Sequence, residues 1–276
     1  DHYLGNWTVR SDQGNVTGSI VLTVWNFTLP LQSSLKSAFL FWNASSLASD
    51  EELLRNKIAP YHTDVSTHND LMTNYGLSTA GLSYWSGADN STCTMSAAPS
   101  VADMKAAAAA QQPGLMPILY SADEITFCPS LNAQVKEWAR NIHAAGINNL
   151  VTIAPNPLLF DDGSGSGRSA VDIWTMLPVS WESSAANVSA AIAKGDSVWS
   201  YNTVVQDSYS PKWEIDFAPI NYRIQPGFIS QSLGRTGLLY WRSDRWNNDP
   251  WNQVNTEGQF SSDNYPGDGR MFYPGA

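Results

Sequence analysis

The sequence predicts an α/β protein whose main part is a (β/α)8 barrel of the TIM type, preceded by a short β segment. From about residue 35 onward, short apolar runs typical of buried strands alternate with runs that have helical caps and periodicity. This alternation predicts a parallel sheet with crossover helices. About seven or eight strands are expected, and several end in polar or aromatic residues, which favours a closed barrel over an open sheet.

The first 30 residues differ from the rest. They alternate apolar and polar residues in the manner of antiparallel strands, with Ile20, Leu22, Val24 and Phe27 mainly on one side, and Pro30 closes the segment. We therefore predict two parts. Residues 1–30 are expected to be the last strands and linker of a β-sandwich that is otherwise missing, and residues 31–276 the barrel.

The barrel elements follow from apolar runs, caps and stop signals. The predicted strands are Ser37–Trp42, a short strand within Leu77–Trp85, Leu115–Tyr120, Asn149–Ala154, Val171–Leu177, Ser197–Tyr201 and Gly237–Trp241. The predicted helices are one that begins at Ser49 or Asp50, then Ser100–Gln112, Pro129–Ala145, Ser183–Lys194 and Ile224–Leu233. Gly146 and Gly195 are expected to stop the third and fourth of these helices.

The composition indicates which classes of binding partner are favoured and which are not. The net charge is −10, which argues against nucleic acid and anionic membranes as partners. Twelve Trp and 11 Tyr in a weakly charged chain indicate a surface that stacks on flat apolar faces, of which sugar rings are the common case, although part of this aromatic content must form core. No apolar run reaches the roughly 18 residues that span a bilayer.

Several features favour a secreted or extracytoplasmic protein. The chain begins with Asp1, so we expect an export signal to have been removed. The two cysteines, Cys93 and Cys128, are expected to form a disulfide, with free thiols as the alternative in an intracellular protein. Six N-x-S/T sequons are candidates for N-glycosylation: Asn6, Asn15, Asn26, Asn43, Asn90 and Asn187.

Two adjacent carboxylates, Asp123 and Glu124, follow the apolar run that ends at Tyr120. The carboxyl end of a buried parallel strand is where α/β enzymes place their catalytic groups. A helix cap or a solvated turn is the alternative use of these acids. Other predicted strands also end in, or are followed by, acids and aromatic residues, and in a barrel these would converge on one mouth: Asp172, Trp174, Trp199, Tyr201, Asp216, Tyr240, Trp241, Asp244 and Trp246.

Other chemistries have weaker support. His62 and His68 lie near Asp64 and Asp70, but their spacing matches no common zinc motif, so no metal is expected. His143 is expected to be structural. The glycine-rich loop at residues 161–167 has no pattern of a phosphate-binding loop and is expected to be a solvated surface loop. No cofactor is expected, and no G-x-S-x-G elbow is present.

The C-terminal third contains VWSYNT, WEIDFAPINYRIQPGF, GRTGLLYWRSDRWNNDPW and GDGRMFYPG. This series resembles the catalytic domain of glycoside hydrolase family 123 and its relatives grouped as domain of unknown function 4091. The segment VLTVWNFTLPLQSSLKSAF is similar to that family's passage from a sandwich into the barrel. The resemblance extends from about residue 18 onward. One departure is Ile125, where the family often has Pro after its Asp–Glu pair.

The resemblance implies a β-N-acetylgalactosaminidase acting on glycans that contain N-acetylhexosamine, by substrate-assisted catalysis. It implies that Glu124 is the general acid/base, with a raised pKa, and that Asp123 stabilises the acetamido group. Candidate walls of the sugar subsite are Trp174, Trp199, Tyr201, Tyr240 and Trp241. Candidate polar contacts are Asp172, Asn202, Asp216 and Arg223, although an Asp216–Arg223 pair would serve equally well as a structural tie. The alternatives are another sugar specificity on the same barrel, or a non-catalytic carbohydrate-binding or structural glycoprotein.

Overall fold

The computed structural model describes residues 1–43, 45–202, 224–245, 251–252 and 267–273. The chain divides into two compact units, Asp1–Leu31 and Gln32–Ala276. Asp216, Arg223 and Trp246 lie outside the described residues, and only the backbone of Asn202 is described. In the described part of the chain, no helix is long and apolar enough to cross a membrane.

The first unit is an antiparallel hairpin of strands β1 (His2–Ser11) and β2 (Gly14–Thr23). Because side chains alternate between the two faces of a strand, the register separates apolar from polar residues. One face carries Tyr3, Trp7, Val9, Val16, Ile20 and Leu22, all exposed. The opposite face is mostly polar and carries the sequons at Asn6 and Asn15.

The second unit contains a sheet that has seven strands among the described residues. They are β3 (Lys36–Phe39), β4 (Thr79–Gly81), β5 (Met116–Ala122), β6 (Asn148–Thr152), β7 (Ile173–Met176), β8 (Ser197–Asn202) and β9 (Gly237–Tyr240). Their order in the sheet is β3-β9-β8-β7-β6-β5-β4, and every neighbouring pair is parallel. All carboxyl ends therefore lie at one edge of the sheet.

Residues 59–61 connect the two outer strands. The amide of Phe39 donates to the carbonyl of Ala59 (3.0 Å), the amide of Tyr61 donates to the carbonyl of Phe39 (2.9 Å), and the amide of Gly81 donates to the carbonyl of Tyr61 (2.8 Å). A Cβ at Gly81 would lie 2.3 Å from that Tyr61 carbonyl oxygen, so only glycine permits this approach. The sheet is therefore nearly closed and barrel-like.

Helices flank the sheet, as the alternating pattern predicted. They are α1 (Leu47–Arg55), α2 (His68–Asp70), α3 (Val101–Ala109), α4 (Asn132–Ala144), α5 (Trp181–Ala193) and α6 (Ser230–Ser232). The π-helical segments Leu71–Tyr75 and Ile224–Ile229 extend α2 and precede α6. Helix α1 begins three residues earlier than predicted because Ser46 and Ser49 form a reciprocal capping box. Ser100 caps α3 as expected.

Two cores follow from the alternation of side chains along the strands. Inside the barrel-like sheet, Ile118, Leu150, Ile173, Trp199 and Leu239 pack together. The indole of Trp199 occupies the space above Gly237, where a Cβ would lie 2.3 Å from the ring. Outside the sheet, the strand residues that alternate with these pack under the helices, among them Leu119, Val151, Trp174 and Val198.

The predicted disulfide is confirmed. Cys93 and Cys128 are bonded, which ties the loop around Asn90 to the segment that follows Glu124. The mixed α/β architecture with parallel, barrel-like strands is confirmed as well. Four of the six strands predicted with definite bounds run one to three residues longer than the observed ones, mostly because the apolar runs continue into the loops at the carboxyl edge of the sheet. The short strand predicted within Leu77–Trp85 is β4.

Candidate active site

Asp123 and Glu124 follow β5 at the carboxyl edge of the sheet, and a β-bulge sets their direction. The register between β5 and β6 shifts between Tyr120, which pairs with Leu150, and Ala122, which pairs with Val151. The extra residue, Ser121, is buried, and its hydroxyl lies 2.5 Å from Oδ1 of Asn149. Without the bulge, regular alternation would turn Asp123 outward. The bulge therefore directs Asp123 into the mouth.

Two hydroxyl groups fix the carboxylate of Asp123. Tyr120 donates to Oδ1 at 2.6 Å, and Thr152, at the end of β6, donates to the same oxygen at 2.5 Å. Burial, together with the negative charge of Asp123, raises the pKa of Tyr120 well above its ordinary value, so its hydroxyl remains a donor. In the described part of the chain, no side chain binds Oδ2 of Asp123, which leaves this oxygen for a ligand.

Glu124 adopts the left-handed conformation, with φ 48° and ψ 38°. This region is uncommon for residues other than glycine and costs about 1–3 kcal/mol, so the surroundings must hold it. The amide of Glu124 donates to the hydroxyl of Thr152 at 2.7 Å, and Tyr201 donates to Oε1 at 2.8 Å. Thr152 thus contacts both acids, and Tyr201 positions the carboxyl group of Glu124.

Opposing effects act on the protonation of Glu124. Burial raises its pKa above the ordinary value and the charge of Asp123 adds to the increase, while the hydrogen bond from Tyr201 opposes it. The net direction is upward. A glutamic acid with a raised pKa, beside an open mouth, is suited to act as a proton donor.

Aromatic side chains follow several strands at the carboxyl edge of the sheet, the same edge at which the acids lie. The ring of Trp85, after β4, meets the ring of Tyr120 edge-on at 5.6 Å. The ring of Trp42, after β3, meets Trp241 edge-on at 5.6 Å, and the guanidinium of Arg242 lies 4.7 Å from the ring centre of Trp42. Trp42 and Trp85 are both more than half exposed. They are available to stack on a ligand.

The structure brings together some of the predicted site residues. Tyr201 contacts Glu124, and Trp241 lies at the rim beside Trp42. Trp199 is in the barrel interior, but it is only 1% exposed and lies beneath the level of Tyr201, so it supports the mouth from below. Asp216 and Arg223, like the side chain of Asn202, are not among the described parts of the chain.

Trp174, Tyr240 and Asp172, which were predicted as substrate contacts, do not lie in the mouth, and this prediction was wrong for all three. Trp174 faces the helices, where its indole N–H donates to Asp196 at 2.9 Å. Tyr240 also faces outward and is fully buried, with its hydroxyl 3.2 Å from Oδ1 of Asp268. Both side chains point outward because side chains alternate along a strand, and the residues next to them in sequence point inward. The sequence placed these residues in strands, but it did not show whether their side chains point inward or outward.

Asp172 lies at the opposite edge of the sheet, before β7 begins. It accepts hydrogen bonds from Arg168 Nε (2.7 Å) and the amide of Asn149 (2.7 Å), and it lies 3.0 Å from Nε2 of His143. Nδ1 of His143 contacts Asp162 at 2.8 Å. These contacts tie α4 to the loop before β7, which gives His143 the structural surroundings that were predicted for it.

Other residues of the mouth were missed from the sequence. They are Trp42, His62, Trp85, Tyr120 and Thr152. Trp42, Trp85 and Tyr120 are the last residues of predicted strands, so their position carried a usable signal. The role of Thr152 had no such signal, because it depends on the bulge in the neighbouring strand.

The described residues include no group of three or more His, Cys, Asp or Glu side chains arranged to hold a metal ion. The sequons differ in accessibility. Asn6, Asn15, Asn26, Asn43 and Asn90 are exposed, whereas Asn187 is half-buried within α5, a position less suited to a glycan.

Comparison with known proteins adds no assignment. No protein-family model matches the chain, and no match was found among curated proteins. The geometry of the mouth and the resemblance in the sequence are therefore the basis for assigning a function.

Proposed function

We propose that the chain is a glycoside hydrolase that cleaves β-N-acetylgalactosaminides with retention of configuration. One observation supports this most directly: Glu124 lies beside Asp123. Tyr201 positions the carboxyl group of Glu124, and burial raises the pKa of this group. Tyr120 and Thr152 hold the carboxylate of Asp123 in place. This arrangement offers one proton donor and one fixed carboxylate on the same side of a mouth that carries exposed aromatic rings. The resemblance to glycoside hydrolase family 123 supports the same assignment.

In the proposed mechanism the substrate supplies its own nucleophile. The carbonyl oxygen of the 2-acetamido group attacks the anomeric carbon while Glu124 protonates the departing glycosidic oxygen. The bond to the leaving group breaks as the oxazolinium ring forms. Glu124, now ionised, then accepts a proton from the water that attacks the same carbon, while the bond between that carbon and the amide oxygen breaks and the acetamido group is regenerated. The product keeps the original configuration because two inversions have occurred.

Asp123 has a separate role in this proposal. The oxazolinium intermediate is positively charged, and its N–H needs an acceptor. Both hydroxyl contacts to Asp123 fall on Oδ1, which leaves Oδ2 to accept that N–H. A carboxylate fixed before the reaction stabilises developing charge without reorganising, and this kind of stabilisation is usually a large contribution to catalysis.

The proposal also covers the eighth strand of the barrel, the origin of the hairpin and the location of the protein. We propose that residues 59–61 act as the eighth strand of a (β/α)8 barrel, on the strength of their backbone hydrogen bonds to β3 and β4. The exposed apolar face of the hairpin supports its origin in a β-sandwich. The disulfide supports a secreted or extracytoplasmic location.

The decisive test compares an aryl β-N-acetylgalactosaminide with the matching aryl β-galactoside. We expect hydrolysis of the acetamido sugar only, and its loss in Asp123→Asn, because the amide oxygen is the nucleophile. Cleavage of both sugars, unaffected in the variant, would indicate another specificity on the same fold. Cleavage of neither, with calorimetric binding of N-acetylgalactosamine retained, would indicate a non-catalytic carbohydrate-binding protein.

A further inference from the structure

Four consecutive positions around the mouth carry side chains suited to sugar contacts. In the order of the sheet, β3, residues 59–61, β4 and β5 are neighbours. The first is followed by Trp42, the second by His62, the third by Trp85 and the fourth by the two acids. Since neighbouring strands lie about 4.8 Å apart, the path from β5 to β3 spans roughly 14 Å, which is longer than one sugar ring.

Trp42 is exposed and yet held in place. Its indole N–H donates to the carbonyl of Trp241 at 3.1 Å, and its backbone amide donates to Asp244 at 3.2 Å. Arg242, which lies over the ring, also donates to Asp244, at 3.0 Å. Even so, 57% of Trp42 remains accessible. A fixed aromatic surface binds a ligand at a low cost in side-chain entropy.

Trp85 provides a second surface next to the acids. It is 52% exposed, and its ring contacts that of Tyr120, whose hydroxyl holds Asp123. A sugar bound at the acids would therefore have Trp85 immediately beside it, toward β4. Aromatic rings of this type stack on the C–H face of a sugar while its hydroxyls remain in water.

His62 lies between the two tryptophans. Its ring is held against Tyr61, with centroids 4.4 Å apart, and Nδ1 is 3.3 Å from the carbonyl of Gly81. Burial lowers the pKa of His62, so the neutral form prevails near pH 7. Donation from Nδ1 to that carbonyl leaves Nε2 as an acceptor for a sugar hydroxyl. Nε2 has no hydrogen-bond partner among the residues that the structure describes.

The geometry points to an oligosaccharide as the substrate. We infer that the glycan runs from Asp123 and Glu124 over Trp85, past His62 and onto Trp42. This inference rests on the proposed function and names the substrate class of the same site. The two chain neighbours of Trp42, Phe41 and Asn43, line a cavity of about 610 Å³, together with Ser45, Ser49, Glu52 and Tyr273. This cavity offers aromatic and polar contacts to a further sugar.

The experiment compares two substrates. One is an aryl β-N-acetylgalactosaminide, and the other is a tetrasaccharide that contains one internal β-N-acetylgalactosaminyl bond. We expect Trp42→Ala to raise KM for the tetrasaccharide by a factor about ten times larger than the factor for the aryl glycoside, as loss of a tryptophan contact typically does. Trp42→Phe keeps an aromatic surface, so it should return KM for the tetrasaccharide most of the way to the wild-type value. Ile192→Ala, an exposed truncation in the last turn of α5 at the opposite edge of the sheet, is the control and should alter neither value.

The outcomes separate the two proposals. If the wild-type protein cleaves both substrates and Trp42→Ala affects them equally or not at all, the oligosaccharide path is wrong and the proposed function stands. If it cleaves neither, calorimetry with the tetrasaccharide decides. Binding that Trp42→Ala weakens about tenfold would support the path and refute hydrolysis. Absence of binding would overturn both.

Discussion

The hydroxyl of Tyr201 donates a 2.8 Å hydrogen bond to Oε1 of Glu124, although the two residues are 77 positions apart in the chain. Tyr201 is the penultimate residue of β8 and Glu124 follows β5, so this bond spans the mouth of the sheet. Burial and the adjacent carboxylates raise the pKa of Tyr201, which keeps its hydroxyl protonated as a donor. Glu124 is therefore positioned by an element that lies on the other side of the mouth.

Replacement of Glu124 by Gln tests the acid role. We expect kcat for a substrate with a poor leaving group, such as an alkyl glycoside, to fall by about 10²–10⁴, because the departing oxygen is no longer protonated. A dinitrophenyl glycoside, which leaves without protonation, should lose much less in its first step. Wild-type turnover of the alkyl glycoside by this variant would rule out the assigned role.

Tyr201→Phe tests the control of proton affinity at Glu124. The hydrogen bond from Tyr201 stabilises the carboxylate, so its removal should raise the pKa of Glu124 further. A general acid is active when protonated, and the alkaline limb of kcat/KM should move to higher pH. Tyr75→Phe, which removes a hydroxyl bonded to Arg55 instead, is the matched control. An alkaline limb that stays in place or moves to lower pH would contradict this account.

Trp174→Phe tests whether Trp174 belongs to the core between the sheet and the helices or to the mouth. The substitution removes the hydrogen bond to Asp196 and leaves a void under the helices, and we expect the free energy of unfolding to fall by about 1–3 kcal/mol. KM should not change, because Trp174 faces away from the mouth. Denaturant titration and steady-state kinetics measure the two quantities. A large increase in KM with little change in stability would restore the subsite role that was predicted from the sequence.

Asp50 makes stability depend on pH. Its carboxyl group is buried in α1, and this burial raises its pKa to about 6, against the hydrogen bond from Ser45. A raised pKa means that the stabilising contribution is complete below about pH 4 and is lost as the pH rises through about 6. Asp50→Asn should therefore increase the free energy of unfolding at pH 7.5 by at most about 3 kcal/mol. At pH 3.5 the variant should show no such gain.

The measurement is denaturant unfolding at both pH values. Asp70→Asn, at an exposed position in α2, is the control for changing an aspartate to asparagine. A gain for Asp50→Asn that is the same at both pH values would refute the buried-charge explanation.

Loss of the disulfide should affect stability and the site together. Removal of Cys93 and Cys128 by a double change to Ala reopens a loop of 35 residues, which is expected to cost about 4 kcal/mol. Because Cys128 lies four residues after Glu124, we also expect kcat to fall. Wild-type protein treated with a reductant should reproduce both effects. Retention of full stability in the double variant would show that the bridge adds little.

Residue patterns predicted most of the framework. Apolar runs identified the strands and Ser100 identified the start of α3, because these signals are local. The reciprocal cap of Ser46 was missed in favour of Ser49, since both serines suit an N-terminus. The cysteine pair was predictable because a disulfide is the simpler use of two cysteines in a chain that is expected to be secreted.

The site was predictable only in part. The acids stood out because they are adjacent and follow an apolar run. The inward or outward direction of Trp174, Trp199 and Tyr240 depends on strand parity, which requires the register. Contacts such as Thr152 to Asp123 depend on pairing between strands. Long-range pairing leaves no local trace in a single sequence.

The bulge at Ser121 makes the proposed chemistry depend on the number of residues in β5. Insertion of one further residue between Ala122 and Asp123 would keep both acids in the sequence, and any search for an Asp–Glu pair would still find them. In the folded chain, however, the added residue would take the inward position and Asp123 would turn toward the helices, away from Thr152. Relatives that share the acids but differ in this spacing would therefore be expected to lack the activity.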